Sequence, residues 1–267
     1  MTSGVTYAEA KVFLGTLAMT QPRILAMCLM LPLFNPQILP GMLRYAVGAA
    51  LGLVMVPALL PAYAAAQPDA VQLVLIVAKE VLVGMAMGFM VAIPFWVFEA
   101  VGFVIDNQRG ASIGAVINPA TGNDTSVLGL LFNQAFMVFF LVGGGFSLML
   151  NMLYDSFRLW DIWQFTPALH PGNAPLMLDQ LGRLMRLMLL FAAPAIVAMF
   201  LSEVGLALVS RFAPQLQVFF LAMPIKSGLA LLVLVLYMST LFEYAADLTG
   251  GIRDILPFLD GQWRPAR

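Results

Sequence analysis

Three ionisable residues in one stretch are spaced so that they would lie on the same face of an α-helix. Glu99, Asp106 and Arg109 lie within and at the end of an apolar helical run. On an α-helix they follow one another at i, i+7 and i+10, with Gly102 at i+3, so all four share one face. Such a face suits a lined cavity or a seam between subunits. It gives little support for acid–base catalysis, because no histidine or nucleophile accompanies the carboxylates. The predicted polar face consists of Glu99, Asp106, Asn107, Gln108 and Arg109.

These charges matter because the composition is that of a membrane protein. Of the 267 residues, 61% are hydrophobic and only 10% are charged, and the mean hydropathy is +0.92. Soluble domains are about 45–50% apolar and about 25% charged. A larger core does not explain that excess, so the chain is predicted to lie in a membrane. The net charge of −1 gives no reason to expect a nucleic-acid partner.

Cysteine and histidine offer no further chemistry. The chain has one cysteine, Cys28, and one histidine, His170, which excludes an internal disulfide and gives no metal site. Cys28 is interpreted as a small apolar residue in a helix, and the 18 methionines as adaptable packing. No cofactor is expected.

The fold class follows from the lengths of the apolar segments, each near the roughly 20 residues that cross a bilayer as a helix. The six segments are Val12–Phe34, Tyr45–Leu60, Val71–Ile105, Val127–Tyr154, Leu184–Ser210 and Leu216–Phe242. The prediction is an all-α membrane protein of six to eight helical segments that form bent hairpins. A single integral membrane domain is expected over residues 1–267, with a polar C-terminal tail over residues 243–267.

Every apolar segment contains an internal helix breaker, which predicts kinks or breaks. The breakers are Pro22, Pro32, Pro57, Pro94, Pro194, Pro224 and the triplet Gly143 to Gly145. The third segment is also too long, since it would span about 50 Å as a straight helix against about 30 Å of hydrocarbon. It must bend at Pro94, fold back as a hairpin, or project beyond the membrane.

Further charges lie within the apolar segments. A charge at the bilayer centre costs about 2.5–3.5 kcal/mol, so these side chains must face protein or water. They either line a polar pathway or form packing contacts at helix–helix or subunit interfaces. The predicted assembly contacts are Lys79, Glu80, Glu203, Arg211 and Lys226.

The loop from Gly110 to Ser126 is unusual because it carries apolar residues, Ile113, Val116 and Ile117, among small polar ones. These residues can plug a cavity or pack against the helices. The loop lacks the Gly-Lys-Ser/Thr core of a P-loop, so phosphate binding is not predicted.

Three motifs together resemble one protein family. The run FEAVGFVIDNQRGAS followed by NPATGNDTS is similar to the SctT/FliR family, the T-type export-apparatus subunit of bacterial type III secretion systems. The early LPLFNPQILPGMLR and the later LSEVGLALVSRFAPQLQVFFLAMPIKSG are similar to the same family. The resemblance covers essentially the whole chain. The motifs DNQRGAS, SRFAPQ and IKSG are more similar to those of the virulence (injectisome) branch than to those of the flagellar branch.

The resemblance implies a role and a set of partners. Family members join R-type and S-type membrane subunits in a helical export gate of the bacterial inner membrane, with bent hairpins partly raised to the periplasmic side. The loop after DNQRGAS supplies an apolar plug, which by position falls on Ile113, Val116 and Ile117. The U-type switch protein and the V-type large export gate protein are implied as partners, with unfolded secreted substrates in transit and membrane lipid around the helices.

Two other functions compete with this one. An ion-coupled secondary transporter of small solutes would use the intramembrane charges, but many transporters are built from an internal repeat, and the sequence shows no clear one. An intramembrane enzyme is disfavoured because the chain has no Ser/His, Cys/His or paired-Asp motif. A non-enzymatic channel subunit is therefore the favoured prediction.

Overall fold

Long α-helices make up most of the chain. The computed structural model describes residues 7–36, 38–66, 69–110, 116–117, 124–163, 174–213 and 218–263. Within these ranges the helices are α1 (Tyr7–Met30), α2 (Gly41–Ala66), α3 (Ala70–Arg109), α4 (Val127–Val142), α5 (Gly145–Leu159), α6 (Ala174–Phe212), α7 (Val218–Gly250) and α8 (Ile255–Trp263). Short 3-10 turns cover Pro32–Phe34 and Gly251–Asp254, and two-residue strands β1 (Val116–Ile117) and β2 (Asp124–Thr125) pair with each other.

The helices are long and apolar enough to confirm the predicted membrane fold. Among the described residues, five stretches could each cross a bilayer: Glu9–Met30, Gly41–Tyr63, Ala70–Arg109, Leu178–Phe212 and Leu221–Trp263. The pair of α4 and α5 supplies a sixth, broken span. These six correspond to the six apolar segments predicted from hydropathy.

The prolines that lie inside these helices do not end them, whereas Pro32 follows the end of α1 at Met30 and begins a 3-10 turn. The helices continue through Pro22, Pro57, Pro61, Pro94, Pro194 and Pro224. A proline removes one backbone hydrogen bond, and a helix in a membrane tolerates that loss when neighbouring groups satisfy the freed carbonyl. Helix α3 is therefore one continuous helix of 40 residues, about 60 Å long, and the hairpin alternative for this segment is excluded.

The glycine triplet does break its segment, as predicted. Helix α4 ends at Val142, and its last turn closes with the Gly143 amide donating to the Phe139 carbonyl at 2.7 Å. Gly144 has φ +81°, a left-handed conformation that residues with a side chain rarely adopt, and α5 begins at the next residue.

The chain divides into two compact units. Unit one contains residues 1–92, 145–175 and 251–267, and unit two contains residues 93–144 and 176–250. Helix α3 contributes its first part to unit one and its last part to unit two. The prediction of a single domain over residues 1–267 stays a prediction.

In unit one, glycines let helices approach α1 closely. Gly48 and Gly52 of α2 face side chains of α1, and the small-xxx-small spacing recurs in α3. A Cβ added at Gly84 would collide with the backbone carbonyl of Arg23, and one added at Gly88 would lie 2.7 Å from the carbonyl oxygen of Met27. Because backbone cannot yield as a flexible side chain does, α1 and α3 pack at a distance that only glycine permits.

Replacing Gly84 with alanine is therefore expected to destabilise the protein by about 1–3 kcal/mol, the usual cost of overpacking a tight contact. Gly182→Ala is the matched control, because an added Cβ there meets nothing within 4 Å and alanine is the better helix former by about 0.8–1 kcal/mol. Thermal unfolding in detergent should show a lower midpoint for Gly84→Ala and an equal or higher one for Gly182→Ala. Equal midpoints for both variants would contradict the close approach.

In unit two, an aromatic cluster joins α3 to α4. Phe95 contacts Phe136 and Phe140 at ring-centroid distances of 4.8 and 5.0 Å, and Phe98 stacks on Phe136 at 4.8 Å. All four rings are buried. Aromatic pairs of this kind contribute about 0.5–1.5 kcal/mol each beyond their buried area, so this part of the α3–α4 hairpin is firmly packed.

The C-terminal segment is more ordered than its composition indicates. Helix α8 buries Ile255, Leu259 and Trp263, and the Trp263 ring lies 4.8 Å from that of Trp160. The prediction of a polar tail over residues 243–267 did not include this buried apolar face of α8. Its apolar residues recur at helical spacing, which is the signal that the sequence carried.

Candidate functional site

The predicted polar face of α3 centres on Asp106, which is buried at 4% exposure. Its Oδ1 accepts a hydrogen bond from Arg109 Nε at 2.8 Å, and Arg109 also forms an ion pair with it at 2.7 Å. Its Oδ2 accepts from the Ser126 hydroxyl at 2.6 Å and from the Leu128 backbone amide at 3.0 Å. One carboxylate thus joins the end of α3 to the start of α4.

The start of α4 explains why a carboxylate is needed there. Ser126 is the N-cap of α4, and its Oγ accepts from the Gly129 amide at 2.8 Å. The first amides of a helix have no partner within the helix, and a negative charge near them is favourable. Asp106 and Ser126 together satisfy two of these amides. Asp106 therefore holds together the two ends of the loop from Gly110 to Ser126.

The rest of this face also packs inside the chain. Asn133 of α4 donates to Glu99 Oε2 at 2.7 Å, and Gly102 lies against the backbone of Leu128 and Gly129. The structure packs this face against α4 within unit two, which is neither of the two predicted alternatives, a lined cavity or a seam between subunits. Asn107 is exposed and lies outside this contact, and Gln108 is half-buried.

The loop residues are described only in part. Val116 and Ile117 form strand β1, which pairs antiparallel with β2 in the register Val116 with Thr125 and Ile117 with Asp124. Ile113 lies outside the described residues. The plug role of Ile113, Val116 and Ile117 stays a prediction.

A second cluster of charges lies deep in unit one. Arg23 of α1 donates through Nε to Glu80 Oε2 at 2.6 Å and through a second nitrogen to Glu80 Oε1 at 2.8 Å. Lys79 lies 2.9 Å from the same carboxylate. The side chains of Arg23 and Glu80 are both 0% exposed. The result is a bidentate ion pair out of contact with solvent and lipid.

This buried ion pair also holds α5. Arg23 donates to the Ser156 hydroxyl at 3.1 Å and to the Trp160 carbonyl at 3.0 Å, and its guanidinium lies 4.3 Å from the Phe157 ring centre. Lys79 donates to the backbone carbonyls of Asp161 and Ile162 at 3.1 and 2.9 Å. Three segments of unit one, α1, α3 and the α5 region, are thereby joined.

The structure corrects the prediction that Lys79 and Glu80 contact other subunits. Glu80 is fully buried and the contacts of Lys79 named above lie in the same chain, so both residues stabilise unit one from within. Arg23 was missed as a functional candidate. It lies in the first apolar segment beside Pro22, and the rule that an intramembrane charge needs a partner would have identified it.

The other predicted assembly contacts lie on the helices α6 and α7 of unit two. Lys226 is 3.5 Å from Glu203, with the Glu203 side chain 51% exposed and that of Lys226 13% exposed. Arg211 is exposed in the last turn of α6. Unlike Lys79 and Glu80, the charges of Glu203 and Arg211 are available to a partner.

Large apolar side chains surround Glu203 on the same helix. The large apolar residues exposed on α6 are Leu178, Leu181, Met185, Leu189, Leu190, Val197, Phe200, Leu201, Val204, Leu208, Val209 and Phe212. A surface of this kind needs lipid or protein over it. A half-exposed carboxylate among these residues would be costly against lipid, and a partner protein with a hydrogen-bond donor would remove that cost.

The described residues offer little for catalysis or metal binding. No group of three or more His, Cys, Asp or Glu residues in these ranges could hold a metal ion. The Asp106 carboxylate already accepts hydrogen bonds from a guanidinium, a hydroxyl and an amide. The arrangement is suited to holding helices together.

Comparison with known proteins shows which family the sequence of this chain matches. The family model described as bacterial export proteins, family 1, matches residues 14–252. The chain is 39% identical over 236 residues to the Yop proteins translocation protein T of Yersinia pestis, which covers 86% of this chain and 88% of that protein. It is 34% identical over 235 residues to the surface presentation of antigens protein SpaR of Salmonella typhimurium, covering 87% and 86%. It is 25% identical over 239 residues to the flagellar biosynthetic protein FliR of Pectobacterium carotovorum subsp. carotovorum, covering 88% of each.

Proposed function

Because the chain belongs to the SctT/FliR family of the bacterial type III secretion export apparatus, we propose that it is a gate subunit that assembles with R-type and S-type membrane subunits. In this role it is a non-enzymatic part of a channel that passes unfolded protein substrates across the inner membrane. The family match over residues 14–252 supports the coarse role. The exposed surface of α6 supports assembly.

The observation that carries the proposal is Glu203 on the apolar face of α6. Its carboxylate is half-exposed, with its Lys226 partner at 3.5 Å and large apolar side chains around it. Lipid would leave this carboxylate incompletely satisfied. A partner helix would cover the apolar side chains and could donate a hydrogen bond to the carboxylate, which is how polar groups join helices in membranes.

The finer parts of the proposal follow from the family. We place the chain in the virulence branch, since its identity to the translocation protein of Yersinia pestis exceeds that to the flagellar protein by 39% to 25% at similar coverage. The U-type switch protein and the V-type large export gate protein are proposed as further partners. The helices are proposed to lie partly raised to the periplasmic side, and the loop residues Ile113, Val116 and Ile117 to close the channel.

Assembly can be tested with one charge change. Glu203→Ala should lower the recovery of the complex by about tenfold, which corresponds to the loss of about 1.4 kcal/mol in one hydrogen-bonded contact. The measurement is a blue-native gel of the tagged chain, produced with and without its R-type and S-type partners. Glu243→Ala, which removes an exposed carboxylate from α7, is the control and should assemble normally.

The same gel can reject the proposal. A chain that runs as the same stable monomer with and without the partners would contradict the gate role. Transport of a small solute by the pure chain in liposomes would then favour the transporter alternative.

A further inference from the structure

An open cavity of 460 Å³ lies in unit one between α2 and α5. One wall is apolar and comes from Val54, Ala58, Leu59 and Ala62 on α2. The other wall is formed by α5 and the residues after it, which include Phe157. Pockets for small molecules commonly measure about 300–1,000 Å³, so this cavity is large enough for a ligand.

The α5 wall carries both signs of charge. Asp155, Arg158 and Asp161 line the cavity, two carboxylates with one guanidinium. Asp155 and Arg158 are exposed, so their charged groups are available to a ligand. Asp161 is held in place, because its Oδ1 accepts from the Trp163 amide at 3.2 Å and its carbonyl accepts from Lys79. Lys79, which forms an ion pair with Glu80, thus fixes one side of the cavity.

The cavity lies where apolar helices end. The apolar part of α2 ends at Tyr63, and the charged residues of the cavity lie in the last five residues of α5, Asp155 and Arg158, and just after its end at Leu159, Asp161. In a membrane this boundary corresponds to the level of the lipid headgroups, where the polar headgroup region adjoins the hydrocarbon core. A ligand here would have a charged end beside α5 and an apolar end along α2.

We propose that this cavity binds one phospholipid with a zwitterionic headgroup, of the phosphatidylethanolamine type. Arg158 binds the phosphate, since guanidinium and phosphate form strong charge-assisted hydrogen bonds. Asp155 and Asp161 bind the primary ammonium. The first part of an acyl chain lies along the apolar wall from Val54 to Ala62.

The charge balance decides between lipid classes. The lining residues carry two carboxylates and one guanidinium, a net charge of −1 beside the Lys79 ammonium behind Asp161, which favours a headgroup with both signs of charge over a purely anionic one such as that of phosphatidylglycerol. A headgroup that carries its own ammonium satisfies both signs. The proposal goes beyond the gate function, because nothing in that function requires a bound lipid at this place.

The test measures bound lipid on the intact complex. The chain is purified with its R-type and S-type partners in mild detergent, and retained phospholipid is identified and counted by native mass spectrometry. The wild-type complex should retain phosphatidylethanolamine. Arg158→Gln should lower its occupancy about tenfold, the effect of losing one charge-assisted contact. Arg186→Gln, which removes an exposed guanidinium from α6, is the matched control.

Two further variants separate the ligand from folding effects. Ala58→Trp fills the apolar wall without changing charge and should also displace the lipid. Asp155→Asn combined with Asp161→Asn should shift the preference from phosphatidylethanolamine towards phosphatidylglycerol. Retention at the wild-type level in Arg158→Gln and Ala58→Trp overturns the proposal. A wild-type complex that prefers phosphatidylglycerol, or that retains no lipid, overturns it equally.

Discussion

Replacing Arg23 with methionine is expected to lower the free energy of unfolding by about 3–5 kcal/mol, the range found when one partner of a buried ion pair is removed. The Arg23 guanidinium donates to both oxygens of Glu80 and to acceptors on α5, and neither charged side chain is exposed. Methionine fills much of the space but donates no hydrogen bond. The Glu80 carboxylate would remain buried with Lys79 as its charged neighbour.

Thermal unfolding in detergent and the steady-state amount of protein in membranes measure the effect. Arg253→Met is the matched control, because Arg253 is exposed in the 3-10 turn before α8 and should change stability little. The double variant Arg23→Met with Glu80→Met should recover part of the loss, since it removes both buried charges together. If the double variant is no more stable than Arg23→Met alone, the ion pair is not what stabilises unit one.

The hydropathy pattern predicted the number of spans but not what joins them. Six apolar segments correspond to five helices and one broken pair, because apolar length is a property of neighbouring residues. The ion pair of Arg23 and Glu80 joins residues 57 positions apart. Only the packing of α1 against α3 brings them together. In the sequence, the sign of this close approach is the four-residue spacing of Gly84 and Gly88, a pattern too common among glycines to predict a contact by itself.

Of the predicted polar face of α3, Glu99, Asp106 and Arg109 lie along the contact with α4, whereas Asn107 is exposed, and the partner helix was not predicted. Helical spacing placed Glu99, Asp106 and Arg109 on one face, which needs only the geometry of a single helix. That this face meets α4 depends on how the chain turns between Gly110 and Ser126. Ser126 before an apolar run is a recognisable N-cap, and it could have indicated where the carboxylate of Asp106 is needed.

Asp106 links the two ends of the loop that connects α3 to α4. The loop begins at Gly110, whose φ of +81° follows the end of α3 at Arg109, and it ends at Ser126, the N-cap of α4. Asp106 accepts hydrogen bonds from Arg109 before the loop, from Ser126 at its end and from Leu128 after it. If the loop closes the export channel, as proposed, its closed position depends on this one carboxylate.

Asp106→Ala is therefore expected to raise ion leakage through the assembled complex. The change leaves the Ser126 hydroxyl and the Leu128 amide without this acceptor, a loss of about 1–3 kcal/mol. If the change destabilises the closed state and leaves the open state unaffected, the ratio of open to closed complexes rises about 5- to 150-fold. Conductance is measured in planar bilayers and divided by the amount of complex on a blue-native gel. Without this correction, a variant that assembles poorly would show a low conductance for a reason unrelated to gating.

Three variants make the result specific to the loop. Asn107→Ala, at the neighbouring exposed position, should leave the conductance unchanged. Asp106→Asn keeps one acceptor oxygen and should leak to an intermediate extent. Replacing Ile113, Val116 and Ile117 with glycine should leak as Asp106→Ala does, because both changes release the same closure by different routes. Wild-type conductance in Asp106→Ala together with high conductance in the glycine variant would show that the loop closes the channel without its anchor at Asp106.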